Sequence, residues 1–133
     1  MGSRFVILLD THAWIWWAGS SPSLSKKAAR AIQAAGTVYV SAISCWEVAM
    51  LVAKGRLVLD RDVEIWLDLA LRLPGVELVP LSPRIAARSA RLEKRFLGDP
   101  ADRILIATAL EHGCPIVSKD ERIRHYPRLR VVW

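Results

Sequence analysis

Phe5-Val6-Ile7-Leu8-Leu9-Asp10 is the stretch that decides the fold. Its unbroken apolar run offers no polar face, so it reads as a strand buried on both sides. The run stops at a carboxylate, and Asp10 could cap a helix beginning near His12. Pro115-Ile116-Val117-Ser118 repeats the pattern and leads to a second carboxylate, Asp120. Between these two runs, strand-like and helix-like segments alternate. Thr37-Val38-Tyr39-Val40 predicts a second strand, 76–81 a third, 116–117 a fourth and 129–132 a fifth. Helices are predicted over 25–35, with Ser25 as cap and Gly36 as stop, and over 43–54, closed by Gly55. A third starts at Asp60 or Asp62 and sets Val63, Trp66, Leu69, Ala70 and Leu73 on one face. Ile85, Ser89, Leu92 and Phe96 recur at helical spacing after Ser82-Pro83. Asp99-Pro100 then opens a deeply apolar helix that runs through Glu111 to a stop at Gly113. Strand–helix alternation without a long linker implies a single domain, 1–133, in three α/β/α layers around a parallel sheet of about five strands.

Such sheets bind ligands beyond the carboxyl ends of their strands. Asp10 and Asp120 lie at that edge, and Glu47 and Asp102 lie in the opening turns of helices that begin there. Each acid has a purely structural explanation. Asp10 could cap, Glu47 could close a capping box with Ser44, Asp102 could answer a helix dipole, and Asp120 could make an Asx-turn. Together they explain less well as scaffolding, because crowded carboxylates repel unless a cation or proton neutralises them. An oxygen-only set suits a hard divalent cation.

The 133 residues are 53% hydrophobic and 24% charged, which excludes a disordered chain. No apolar run approaches the about 20 residues of a membrane span, and no secretory leader or membrane contact is expected. Cys45 and Cys114 form no metal or redox motif and read as buried thiols of a cytoplasmic protein. A net charge of +6 and a pI near 9.9 suit a polyanionic partner.

Four strings together resemble one family: Leu-Asp-Thr-His-Ala-Trp (9–14), Ser-Ala-Ile-Ser-Cys-Trp-Glu-Val (41–48), Gly-Asp-Pro-Ala-Asp-Arg-Ile-Leu-Ile-Ala-Thr-Ala (98–109) and Val-Ser-Lys-Asp-Glu-Arg-Ile (117–123). In order and spacing they look like the PIN-domain family, and in particular its VapC-type ribonuclease toxins. The resemblance implies an endoribonuclease dependent on Mg²⁺ or Mn²⁺, a cognate antitoxin that inhibits it, and a homodimer with a groove for the antitoxin's tail. The family's acids fall on Asp10, Glu47, Asp102 and Asp120. By this resemblance Asp10 and Asp102 contact metal, Asp120 holds the same ion or a second one, and Glu47 orients water or ligates the second ion.

Thr11, Ser44 and Ser118 are placed to orient those carboxylates, or to satisfy local backbone. Asp99 is a cap first and an outer acid second. Arg103 could pair with an acid or touch phosphate, and Arg122 and Arg124 are candidate substrate contacts. Arg88, Arg91 and Arg95, with Lys94 and Arg84 nearby, form a basic stripe, as do Lys26, Lys27 and Arg30; a solvated helix face explains either. Of the six tryptophans, Trp14 and Trp17 share a helical face while Trp16 points elsewhere and needs cover. Two other readings compete. A receiver or acid-cluster phosphotransferase would carry paired acids around Asp10, where Thr11-His12 stand instead. A non-catalytic RNA- or protein-binding module would keep the fold without the activity.

Overall fold

A computed structural model describes residues 5–93, 96 and 98–133. Lys94 and Arg95 of the expected basic stripe lie outside the described residues. The strands are β1 (Val6–Leu9), β2 (Thr37–Ser41), β3 (Val76–Val79), β4 (Ile116–Val117) and β5 (Val131–Val132). They form one sheet in the order β3-β2-β1-β4-β5, every neighbouring pair parallel. The apolar run therefore sits in the middle, with Leu8 and Leu9 opposite Tyr39 and Val40 on one side and Ile116 and Val117 on the other.

Both faces are covered, as the run demanded. Ile7 and Leu9 join a core with Trp14, Ile32, Val48 and Ala70. These come from α1 (Thr11–Ala18), α2 (Lys26–Ala34), α3 (Ala42–Ala53) and α4 (Val63–Leu71). Leu8, turned to the opposite face, joins Leu105, Ile106, Ile116 and Ile123. The helices there are α5 (Pro83–Ala90), α6 (Pro100–His112) and α7 (Glu121–Arg124). The strand order reverses between β1 and β4, and at such a switch point a crevice opens at the carboxyl ends. Among the described residues no helix is long and apolar enough to cross a membrane.

The expected caps are present. Ser25, Asp62 and Asp99 cap α2, α4 and α6, and Gly113 ends α6 at φ +62°, a left-handed position that suits glycine. Several boundaries differ from expectation. The third strand stops at Val79 because Pro80 has no N–H to continue it. The fifth shortens to Val131–Val132 behind a turn in which Arg128 takes φ +62°. The fourth helix α4 ends at Leu71, so Leu73 lies beyond it. The helix expected through Phe96 stops at Ala90, with Arg91 as its C-cap.

Tertiary partners replace the missing helical bonds. Glu93 N–H donates to Tyr126 Oη at 3.1 Å, and Arg103 donates to the carbonyls of Ser89 and Phe96 at 3.2 and 3.3 Å. Leu92 and Phe96 are still buried, but off the helix. Phe96 meets Tyr126 edge-on at 5.6 Å. Of the arginine stripe, Arg84, Arg88 and Arg91 line one cavity, and Arg84 and Arg88 both pair with Glu111, at 3.4 and 2.8 Å. Cys114 is buried, as expected, but Cys45 is only partly so.

Trp14 is fully buried against Trp66, ring centroids 5.1 Å apart, and its indole N–H has no hydrogen-bond partner among the described residues. A buried orphan donor costs about 1–3 kcal/mol. Trp14→Ala should therefore destabilise by about 3–5 kcal/mol. Trp14→Phe keeps a ring and discards the orphan donor, so it should cost under about 2 kcal/mol. Urea unfolding of the two variants measures the difference; equal costs would contradict this account of the N–H.

Candidate active site

Asp10, Glu47, Asp102 and Asp120 line one cavity of about 520 Å³ at the carboxyl edge of the sheet, with Asp99, Thr11, His12, Trp16, Lys119 and Arg122. The structural readings of the acids and their convergence prove compatible. Asp10 caps α1, its Oδ1 accepting from Ala13 N–H at 2.8 Å. Asp99 caps α6 and accepts from Asp102 N–H at 2.8 Å. Asp120 caps α7 through Oδ1, accepting from Arg122 N–H at 2.8 Å and Ile123 N–H at 3.4 Å. Capping fixes the direction of each carboxylate and leaves its second oxygen for other partners.

Glu47 departs from its structural reading. Ser41, not Ser44, caps α3, accepting from Ile43 N–H, so no Ser44–Glu47 capping box exists. Glu47 lies in the second turn, and its carboxylate accepts a hydrogen bond from the Thr11 hydroxyl. Ser44 is fully buried behind that contact, its Oγ 2.9 Å from Thr11 Oγ1. Ser118, also buried, hydrogen-bonds Asp10 and accepts from Asp120 N–H at 3.1 Å. Thr11 thus meets the Glu47 carboxylate directly, Ser44 reaches it only through Thr11, and Ser118 serves the Asp120 backbone as well as Asp10.

Arg122 bridges two of the acids. Its Nη2 lies 3.2 Å from Asp120 Oδ2 and 3.5 Å from Asp102 Oδ2. Arg103 does neither thing expected of it. It is absent from the cavity lining, and the backbone carbonyls of Ser89 and Phe96 occupy its guanidinium. Arg124 pairs with Glu121 at 3.0 Å. His112 packs edge-on against Tyr39, and His125 lies against Glu121. Lys119 also lines the cavity, and the only sequence signal for it is its position between Ser118 and Asp120.

The carboxylates feel one another. Burial, followed by the charges of Asp99, Asp120 and Glu47, pushes the Asp102 carboxyl up to about 7 against the pull of Arg122. Burial raises Asp10 despite the hydrogen bonds from Ser118 and Ala13, and it raises Glu47 despite Thr11. Burial would raise Asp120 too, but the hydrogen bonds and charge of Arg122 hold it below the usual range. Among the described residues no three acidic, histidine or cysteine side chains are already drawn into a closed ligand set. The donor chemistry nevertheless fits a hard divalent cation: carboxylate oxygens from four elements around one cavity, with no thiolate among them.

The PIN domain family profile matches residues 7–129. This chain belongs to the PIN-domain family. Within it, the chain is 40% identical to Ribonuclease VapC22 of Mycobacterium tuberculosis over 129 residues, 96% of this chain and 98% of that protein. Its fold is similar to a chain of VapBC2 from Rickettsia felis bound to a promoter DNA fragment, with a TM-score of 0.71, 15% identity and coverage of 96% and 97% of the two chains. It is also similar to a chain of a toxin–antitoxin complex from Klebsiella pneumoniae, with a TM-score of 0.65, 22% identity and coverage of 91% and 92%.

A raised Asp102 pKa has a thermodynamic sign. The folded state binds this proton more tightly than the unfolded state, whose Asp pKa is 3.8. Ionisation therefore erodes stability as pH rises toward and through about 7. With EDTA present, Asp102→Asn should melt several degrees above the wild type at pH 8, and the gap should close as pH falls toward 4. A gap that is independent of pH in thermal melts would contradict the assignment.

Proposed function

We propose that this chain is a metal-dependent endoribonuclease, the toxin of a toxin–antitoxin pair. The observation that carries the reading is the convergence of Asp10, Glu47, Asp102 and Asp120 on one cavity at the switch point of a parallel sheet. The 40% identity to a named ribonuclease over nearly the whole chain supports the choice of RNA. The basic balance of the protein, +6, supports a polyanionic substrate.

In this reading Asp10, Asp102 and Asp120 hold Mg²⁺ or Mn²⁺, and Glu47 either orients the attacking water or holds a second ion. The cation, when bound, supplies an activated water and polarises the scissile phosphate. The chain's residues do the rest. Thr11 fixes Glu47 from one side, with Ser44 behind it. Ser118 and the Ala13 amide fix Asp10. Arg122 balances the charge of Asp120 and Asp102, and with Lys119 it offers the cavity's positive groups to an incoming phosphate. Cleavage needs no serine or cysteine nucleophile. The toxin–antitoxin complex among the similar structures supports a cognate antitoxin as inhibitor. A homodimer and a cytoplasmic location belong to the same reading.

The test is cleavage of RNA by the purified protein, freed of antitoxin, in Mg²⁺, Mn²⁺ or EDTA. Cutting should require metal and fall by more than about 100-fold in Asp102→Asn, since even residues that only support metal ligands cost about 10–100-fold. Equal cutting by both proteins would point to a contaminant and overturn the proposal. Thr11→Val should lose about 10–100-fold in kcat/KM while still folding. Saturating Mg²⁺ should raise the melting temperature of the wild type by mass action, and an unchanged melting temperature would contradict a metal site in the folded protein.

A further inference from the structure

We propose that Trp16, with His12 beside it, is a stacking shelf for an unpaired nucleobase next to the phosphate held at the carboxylates. The inference rests on the ribonuclease reading and deepens it, because it assigns two further residues of that same site to substrate binding.

Helix α1 divides its aromatic residues between two tasks. Trp14 is buried in the core, and Trp17 packs against the same cluster. Trp16 lies on another face, only partly buried, and lines the cavity that holds the acids. His12 is one turn earlier on that face, is exposed and lines the same cavity. The two rings are 5.7 Å apart at 50°, and Trp16 also meets Trp133, just after β5, at 5.7 Å and 53°. Trp16 thus contacts a ring on its own helix and one at the end of the sheet.

The carboxylates suit a cation, and Lys119 and Arg122 suit phosphate oxygens. Neither set gives an indole a task. A nucleobase does, because every base has a π-face and aromatic side chains bind it with little regard to sequence. The rise along α1 from Asp10 to Trp16 is about 9 Å, a span that a nucleotide bridges between its phosphate and its base. Only a base released from pairing can lie flat on such a shelf.

Trp16 also borders an apolar groove with Ile15, Leu57, Val58 and Trp66. A protein bound in that groove could equally require this ring, so the test must separate the two. Full-length protein is titrated in Ca²⁺ with a fluorescein-labelled ten-nucleotide mixed-sequence RNA and with an abasic oligomer of equal length. The wild type, Trp16→Phe and Trp16→Leu are compared by anisotropy, with melting curves to confirm folding. Trp16→Leu should weaken RNA binding about tenfold, Trp16→Phe less than about threefold, and neither should alter binding of the abasic backbone. RNA carrying 5-iodouridine should photocross-link to the α1 peptide that contains His12 and Trp16.

Wild-type affinity for RNA in Trp16→Leu, an equal loss for RNA and abasic oligomer, or cross-links confined to other peptides would overturn the shelf. The groove reading predicts the first of these outcomes. Asp102→Asn separates the two levels of the proposal: it should abolish cleavage and leave the base-dependent part of binding in place. Base-dependent binding by a wild type that cuts no RNA in Mg²⁺ would remove the nuclease and keep the shelf.

Discussion

The hydrogen bond from a backbone amide to a carboxylate, made where a helix begins, is the contact on which the site depends. Asp10, Asp99 and Asp120 each make it, at the starts of α1, α6 and α7. In a parallel sheet these helix starts fall beyond the carboxyl ends of the strands. The backbone N–H groups and the helix dipole favour negative charge there. The fold itself thus gathers these three acids and fixes each through a capping oxygen. Glu47 and Asp102 join them from within α3 and α6, Glu47 held by the Thr11 hydroxyl.

The cluster strains against itself, and its neighbours share the load unequally. Asp120 keeps its charge easily because Arg122 and two backbone amides surround it. Asp102 lies between Asp99, Asp120 and Glu47, with only the edge of the same guanidinium in reach, and holds its proton toward neutrality. Buried hydroxyls carry the remainder, Ser118 at Asp10 and Thr11 at Glu47. A divalent cation of the kind proposed would meet one carboxylate already compensated and others that gain from its charge.

The sequence showed most of this plainly for residues whose surroundings are local. The apolar run at 5–9 announced a central strand, and Asp99-Pro100 and Gly113 marked both ends of α6, because caps and breakers act within a few residues. The four acids were legible through position and family motif together. What was hidden depended on distant partners. The helix expected through Phe96 ends at Ala90 because Tyr126 and Arg103, remote in sequence, take over the backbone groups. Arg103 looks like a site residue from its neighbour Asp102, but its guanidinium goes to the Ser89 and Phe96 carbonyls. Ser44 and Glu47 satisfied the spacing of a capping box, yet the helix begins one turn earlier, at Ser41. Spacing could exclude Trp16 from the face of Trp14 but could not place it at the cavity.

The dual employment of the capping aspartates has an evolutionary corollary. An asparagine side chain caps a helix about as well as an aspartate and accepts the same amide hydrogen bond. It does so without the charge that a cation needs. A single nucleotide change, Asp to Asn at position 10 or 120, would therefore leave α1 or α7 properly started while removing a charge on which the proposed chemistry depends. If that proposal holds, lineages of this architecture stand one substitution away from a folded, inert decoy that still fits whatever binds its exterior.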